Sequence, residues 1–288
     1  MPSDGGIVMS NKDIELDKYY TPIETANFCW DKVQEVIGFN NISEIIEPSC
    51  GNGAFYHHPL YTPHFGYDIE PEYYTDCGVI EQANFLEIDI NYLYGRLFIG
   101  NPPFGYRNSL AIKFYNKCCE LGDYVAFILP ISQLNNNLQM YKFDLVASYD
   151  LGVLPYSGVN LHCCFNIYKR PETGKLNSKP CVELKDVTIV EHRRKKGQYA
   201  TAKNKKIAPN YDYAMCNWGS GCLGKVPQYV GEYAQEVYFY CHNKKYLKQL
   251  LELLKPEVIR SYVNSISAKK ISVARLYVYI KDNIEGIE

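Results

Sequence analysis

Ile45-Ile46-Glu47-Pro48-Ser49-Cys50-Gly51-Asn52-Gly53-Ala54-Phe55 is an apolar strand that runs into a turn punctuated by two glycines. Glycines at the carboxyl end of a first strand let the backbone approach a ligand closely, and open α/β sheets bind their ligands along that edge. Alone, Gly-x-Gly says little. A phosphate-binding turn wants a third glycine where Tyr56 stands, or a P-loop lysine, and neither is present. A dinucleotide is therefore disfavoured, and a cofactor lacking a pyrophosphate fits better.

Around this stretch, short apolar runs recur with turn residues between them: Ser43 to Ile46, Phe65 to Ile69, Val79 to Ala83, Leu97 to Ile99, Val125 to Leu129, Leu145 to Leu154 and Cys163 to Tyr168. Asn108 to Leu121 lies among them with the pattern of a helix. Upstream, Thr21-Pro22-Ile23-Glu24 predicts a capping box with proline at the first helical position. Ala26, Cys29, Trp30, Val33, Val36 and Ile37 then recur at helical spacing until near Gly38. Buried strands alternating with helices predict a doubly wound α/β sheet. The alternation breaks after Lys169, where Arg170-Pro171-Glu172-Thr173-Gly174 reads as an exit turn. The expected organisation is a flexible N-terminus over 1–18, a main domain over 19–170 and a smaller C-terminal region over 171–288, with a helix at Lys244 to Lys255.

At 288 residues and 47% hydrophobic content the chain can build its own core. No run approaches the ~18 apolar residues of a membrane helix, and Met1 to Asp17 is polar and acidic, so no membrane partner is expected. The expected location is the cytoplasm, or the nucleus or a viral factory in a eukaryotic host. Of the 11 cysteines, Cys118-Cys119 and Cys163-Cys164 are adjacent pairs inside apolar runs, and no Cys-x2-Cys occurs, which predicts reduced, mostly buried thiols. The gap between Cys216 and Cys222 is not a metal-finger spacing even with His242 nearby, and no metal is expected. The net charge of -2 hides an asymmetry: residues 1–100 carry 4 Lys or Arg against 16 Asp or Glu, a balance of -12, leaving 26 against 16, or +10, for residues 101–288. Arg193, Arg194, Lys195, Lys196, Lys203, Lys205 and Lys206 fall in one stretch without an acid, which suits phosphate contact as well as a solvated loop.

Phe65-Gly66-Tyr67-Asp68-Ile69 ends a strand on a carboxylate seventeen residues after Gly51. Such an acid can accept from both hydroxyls of a ribose while Ile69 lies against an adenine face; a helix cap is the other use of such a residue, and the spacing from Gly51 favours the ribose. Leu97-Phe98-Ile99-Gly100-Asn101-Pro102-Pro103-Phe104 ends another strand. The two prolines remove two backbone donors and fix the chain, presenting the Asn101 amide and the Pro102 carbonyl rigidly. Two such oxygens can receive an exocyclic amine, and Phe104 supplies a ring on which an extruded base can stack.

Tyr20-Thr21-Pro22, Glu47-Pro48-Ser49-Cys50-Gly51-Asn52-Gly53, Asp68 and Asn101-Pro102-Pro103-Phe104 stand in the order found in the gamma-group amino-methyltransferases that modify adenine in DNA, and from Tyr19 to Arg170 the chain resembles that family. The resemblance implies a Rossmann-like methyltransferase sheet, mostly parallel with its last strand antiparallel. It implies S-adenosylmethionine as cofactor, with Tyr20, Thr21 and Pro22 closing over its methionine. Glu47, Pro48, Cys50, Gly51, Gly53 and Phe55 then hold the amino-acid end, Asp68 and Ile69 the nucleoside, and Asn84 and Phe85 the adenine. Asn101 serves both cofactor and catalysis, beside Pro102, Pro103 and Phe104. Asn84 is a departure, since the family usually has an aspartate there. Phe165 resembles a late-strand aromatic walling the base pocket, though as a core residue it would look the same. The implied activity is methyl transfer to N6 of a flipped adenine in double-stranded DNA, the residues after 170 reading the target through Arg193, Arg194, Lys195 and Lys196. A cognate restriction endonuclease is a further expected partner. The alternatives are an RNA adenine-N6 methyltransferase and a catalytically silent nucleic-acid-binding subunit.

Overall fold

The structure, a computed structural model, describes residues 20–56, 63–71, 80–156, 159–180, 182–194, 210–219, 221–265 and 270–288. The expected flexible stretch 1–18 and five of the clustered lysines, Lys195, Lys196, Lys203, Lys205 and Lys206, lie outside these residues. By internal contacts the chain divides into two units, 1–179 and 180–288, nine residues beyond the boundary expected after Arg170.

The first unit is built on seven strands: β1 (Glu44–Glu47), β2 (His64–Asp68), β3 (Ile80–Gln82), β4 (Arg96–Gly100), β5 (Tyr124–Pro130), β6 (Asp144–Tyr156) and β7 (Val159–Lys169). They stand in the order β3-β2-β1-β4-β5-β7-β6. The pairs among β1 to β5 are parallel, and β7 runs antiparallel to both its neighbours. This is the mostly parallel, doubly wound, Rossmann-like sheet with a reversed last strand that the alternation and the resemblance predicted.

Every second side chain of a buried strand faces the same way, so each strand feeds two cores. Leu97 and Ile99 of β4 join Ala126 and Ile128 of β5 and Phe165 of β7 beneath α1 (Ile23–Val36), which contributes Ala26, Trp30 and Val33. Phe98, Val125 and Phe127 face the other way, onto Ala111, Phe114, Tyr115 and Cys118 of α2 (Ser109–Leu121). Fully burying one such Leu, Ile or Phe contributes about 1.5–3 kcal/mol. The expected capping box does not form. Pro22 is itself the N-cap with ψ at 143°, no side chain caps α1, and the Thr21 hydroxyl is engaged with Asn101 instead.

The second unit has a three-stranded antiparallel sheet ordered β8-β10-β9, from β8 (Val187–Arg193), β9 (Tyr213–Cys216) and β10 (Gln235–Cys241). Its apolar face packs on α3 (Leu247–Leu253), α4 (Pro256–Ser265) and α5 (Val273–Asn283). The helix expected at Lys244 to Lys255 is a 3-10 turn over Lys244–Tyr246 that leads into α3. All nine described cysteines are free, and eight of them are buried. No helix among the described residues is long and apolar enough to cross a membrane, and no group of three His, Cys, Asp or Glu among them could hold a metal ion.

Candidate active site

The strand order reverses direction between β1 and β4, and the carboxyl ends of β1, β2 and β4 meet at that point. The turn after β1 needs its glycines: Gly51 has φ 47° and Gly53 φ 76°, values that leave a Cβ strained. The turn is tied to β2 on one side and to α1 on the other. Cys50 N–H donates to Tyr67 O (3.0 Å), and Gly51 N–H donates to Asp68 Oδ2 (2.8 Å). From the other side, Trp30 Nε1 of α1 donates to Phe55 O at 3.1 Å. Tyr20 lies over the turn, its Cε1 3.9 Å from where a Cβ on Gly51 would stand.

Asp68 Oδ1 accepts from Glu70 N–H at 2.8 Å, so each carboxylate oxygen holds one backbone bond. A carboxylate offers about four lone-pair sites, which leaves capacity for two hydroxyls. Beside it Ile69 is 51% exposed, an apolar surface at the sheet edge.

Glu47 ends β1 at 2% exposure. The Phe55 N–H bonds to its carboxylate, yet Oε2 has no hydrogen-bond partner among the described residues. Burial, and then the neighbouring Asp68 charge, raise this carboxyl well above the ordinary carboxylate range. A buried carboxylate lacking a partner is costly unless a ligand supplies one.

Asn101 follows β4. Its Nδ2 is 3.3 Å from Thr21 Oγ1, and its backbone carbonyl accepts from Ser49 Oγ at 3.3 Å. The tie to Thr21 occupies the donor end of the carboxamide. Pro102 is buried, Pro103 half-buried, and Phe104 is 8% exposed in the apolar cluster that also holds Ile99 and Phe165. Leu110 N–H and Ala111 N–H both donate to Phe104 O, locking the turn to the start of α2.

Asn84 and Phe85 stand after β3. Asn84 Oδ1 accepts from Leu86 N–H, and its Nδ2 donates to Glu87 Oε1 at 2.7 Å, so the group in the place of the usual aspartate carries a carboxylate with it. Phe85 is 1% exposed and stacks on Phe114, with ring centroids 5.6 Å apart. Phe165 is fully buried between Ile128 of β5 and Tyr149 of β6. Tyr20, Thr21, Glu47, Gly51, Asp68 and Asn101 thus meet at one edge, whereas Phe104 and Phe165 sit in the core on one face of the sheet and Phe85 in the core on the other. Arg193 and Arg194 are exposed at the end of β8, and Arg193 is bound to Glu191 (2.6 Å). Sequence reasoning missed Ser49 and Glu87. Only a polar residue inside the glycine turn hinted at the first, and the i+3 spacing from Asn84 at the second.

No protein-family model matches the chain, and no curated protein does. Solved structures do resemble it. A proposed RNA methyltransferase from Pyrococcus horikoshii shares 13% identity over 57% of this chain and 91% of its own, with a TM-score of 0.45. A Thermoplasma acidophilum protein shares 18% over 57% of this chain and 99% of its own, with a TM-score of 0.41. Magnesium protoporphyrin IX methyltransferase from Synechocystis, solved with bound S-adenosylmethionine, shares 12% over 59% of this chain and 87% of its own, with a TM-score of 0.39. At these values the likeness carries no argument about chemistry.

Proposed function

We propose that the chain is an S-adenosylmethionine-dependent methyltransferase acting on the exocyclic N6 of adenine in DNA. The observation that carries the reading is Asn101, anchored through its amide nitrogen to Thr21 at the switch point of the sheet, with two prolines and Phe104 behind it. The residues present fit the cofactor. The partnerless oxygen of Glu47 suits an ammonium, the spare lone pairs of Asp68 suit a ribose, and exposed Ile69 suits an adenine face. Bound there, S-adenosylmethionine supplies an electrophilic methyl group.

The rest falls to the protein. Adenine N6 is a poor nucleophile because its lone pair is delocalised into the ring. Asn101 Oδ1 and the Pro102 carbonyl, accepting from the amino group, stabilise positive charge as it grows on nitrogen. The proline pair keeps both acceptors in place, so little reorganisation is needed during reaction. Phe104, which leaves only 8% of its surface exposed behind Asn101, is the ring we assign to the extruded base, and a stacked ring contributes on the order of 1–3 kcal/mol against an unstacking cost of similar size. Glu47 and Asp68 hold the cofactor and take no proton from the substrate; the proton that N6 sheds once it is methylated passes to solvent.

Incubating the purified protein with labelled S-adenosylmethionine and either plasmid DNA or total RNA tests this. N6-methyladenine appearing in DNA supports the reading. Label confined to RNA favours the alternative substrate, and label in neither removes the assignment.

A further inference from the structure

Immediately after Phe104 the backbone does something that the fold does not require. Gly105 has φ 66°, Arg107 φ 56° and Asn108 φ 63°, so three of four consecutive residues are left-handed and two of them carry a Cβ. Asparagine tolerates that region, but arginine does so poorly, and such strain persists only where surrounding contacts over-determine it. Those contacts are present. Asn108 N–H donates to Gly105 O, Leu110 and Ala111 N–H donate to Phe104 O, and a Cβ on Gly105 would come within 2.8 Å of Leu110 Cβ.

What the strained loop achieves is a display. Tyr106 is 78% exposed, and the Arg107 guanidinium lies 5.0 Å from its ring centroid, itself exposed. An exposed cation–π pair contributes only about 0.5–1 kcal/mol, less than the strain of about 1–3 kcal/mol that a left-handed non-glycine residue stores. The local charge makes the arginine telling. Residues 1–100 hold four basic side chains against sixteen acidic ones. Of those four, Arg96 is buried and bound to Glu44, and Lys32 is paired with Glu35. Arg107 is the first basic residue after the Asn101 turn and follows directly on the acidic residues 1–100, so it is the first cation offered to a polyanion beyond that stretch.

An exposed ring backed by a guanidinium is how proteins grip unpaired nucleic acid: the ring stacks on a base and the cation takes a phosphate. We propose that Tyr106 and Arg107 form a contact for the strand that carries the target adenine, Tyr106 stacking on a neighbouring unpaired base and Arg107 binding the adjacent phosphate. The inference rests on the proposed action of the Asn101 turn on adenine in nucleic acid.

The test uses the full chain with Tyr106→Ala, Tyr106→Phe and Arg107→Ala, a fluorescent single-stranded DNA and its RNA counterpart, and S-adenosylhomocysteine as a control ligand. Tyr106→Ala is expected to weaken oligonucleotide binding at least about fivefold, Tyr106→Phe to restore it, and all three to keep the parent's affinity for S-adenosylhomocysteine. Arg107→Ala should flatten the salt dependence of log K by about 0.7, the value for one bound phosphate on a single strand. Variants that bind nucleic acid as the parent does overturn this inference alone. A parent that binds S-adenosylhomocysteine but no nucleic acid overturns both it and the reading beneath it.

Discussion

Asn101 Nδ2 lies 3.3 Å from Thr21 Oγ1, a contact between residues eighty positions apart. In the proposed reaction it sets which end of the carboxamide meets the substrate, because an amide free to rotate would offer a donor half the time. Asn101→Ala is expected to lower the single-turnover methylation rate at least ~100-fold, as loss of one preorganised transition-state hydrogen bond does, with cofactor affinity retained. Thr21→Val should lower the same rate by about 10-fold, equivalent to about 1.4 kcal/mol of positioning. Equal rates for Asn101→Ala and parent would remove Asn101 from the chemistry.

Asp68→Ala should weaken S-adenosylmethionine binding by more than about tenfold, since charge-assisted hydrogen bonds to ribose of about 1.5–3 kcal/mol each disappear. The Gly51 N–H also loses its acceptor, so the variant measures ribose and turn together. Asp68→Asn keeps one acceptor oxygen and is expected to fall between the two. Calorimetry that returns the parent affinity for Asp68→Ala would place the ribose elsewhere.

Glu47 makes cofactor affinity depend on pH. Its carboxyl is raised by burial and by the Asp68 charge, so the folded protein holds a proton that an unfolded chain releases near pH 4.3. The folded state then binds more protons than the unfolded one above that pH. This contribution to stability is therefore greatest below about pH 4.3 and is lost as the pH climbs towards the raised value. A ligand ammonium pairs with the ionised form alone, so binding should expel a proton and affinity for S-adenosylhomocysteine should rise with pH. Calorimetry in buffers of different ionisation enthalpy reads that proton directly, and Glu47→Gln should abolish it. Proton-neutral binding by the parent contradicts the role.

In the second unit, Arg193 is shared with Glu191 whereas Arg194 is exposed beyond the strand. If the basic stretch holds phosphates, replacing Arg193, Arg194, Lys195 and Lys196 together should weaken binding to all DNA sequences alike. The salt slope of log K should flatten by up to about 0.9 for each phosphate no longer neutralised. Of the single variants, Arg194→Ala should change the slope more than Arg193→Ala. Weakening confined to one sequence would assign the stretch to base reading.

Periodicity located the sheet well because its strands are buried on both faces: Leu97 to Ile99 and Val125 to Leu129 leave no other place for their side chains. The carboxyl-edge residues Gly51, Asp68 and Asn101 were legible for a related reason, since glycine, acid and Asn-Pro-Pro each follow an apolar run. What was not legible depends on partners far along the chain. Thr21 reads locally as a helix cap, and only the approach of β4 gives its hydroxyl a better use. Ser49 on the Asn101 carbonyl is the same case. Phe85 looks like a ligand aromatic until Phe98 and Phe114 are seen around it.

The placement of β1 between β2 and β4 also bears on how the chain acquires its active form. β4 adds to the far side of β1 only after some fifty intervening residues have been gathered in, and Arg96 closes that edge on Glu44. Loop closure of this kind loses entropy before it gains contacts, so parallel pairing is slow and comes late. Glu47 and Asn101 reach a common edge only once that step is complete. A chain that stops before Arg96 lacks β4 and Asn101 and with them the site, and refolding should recover secondary structure well before it recovers the power to bind a ligand.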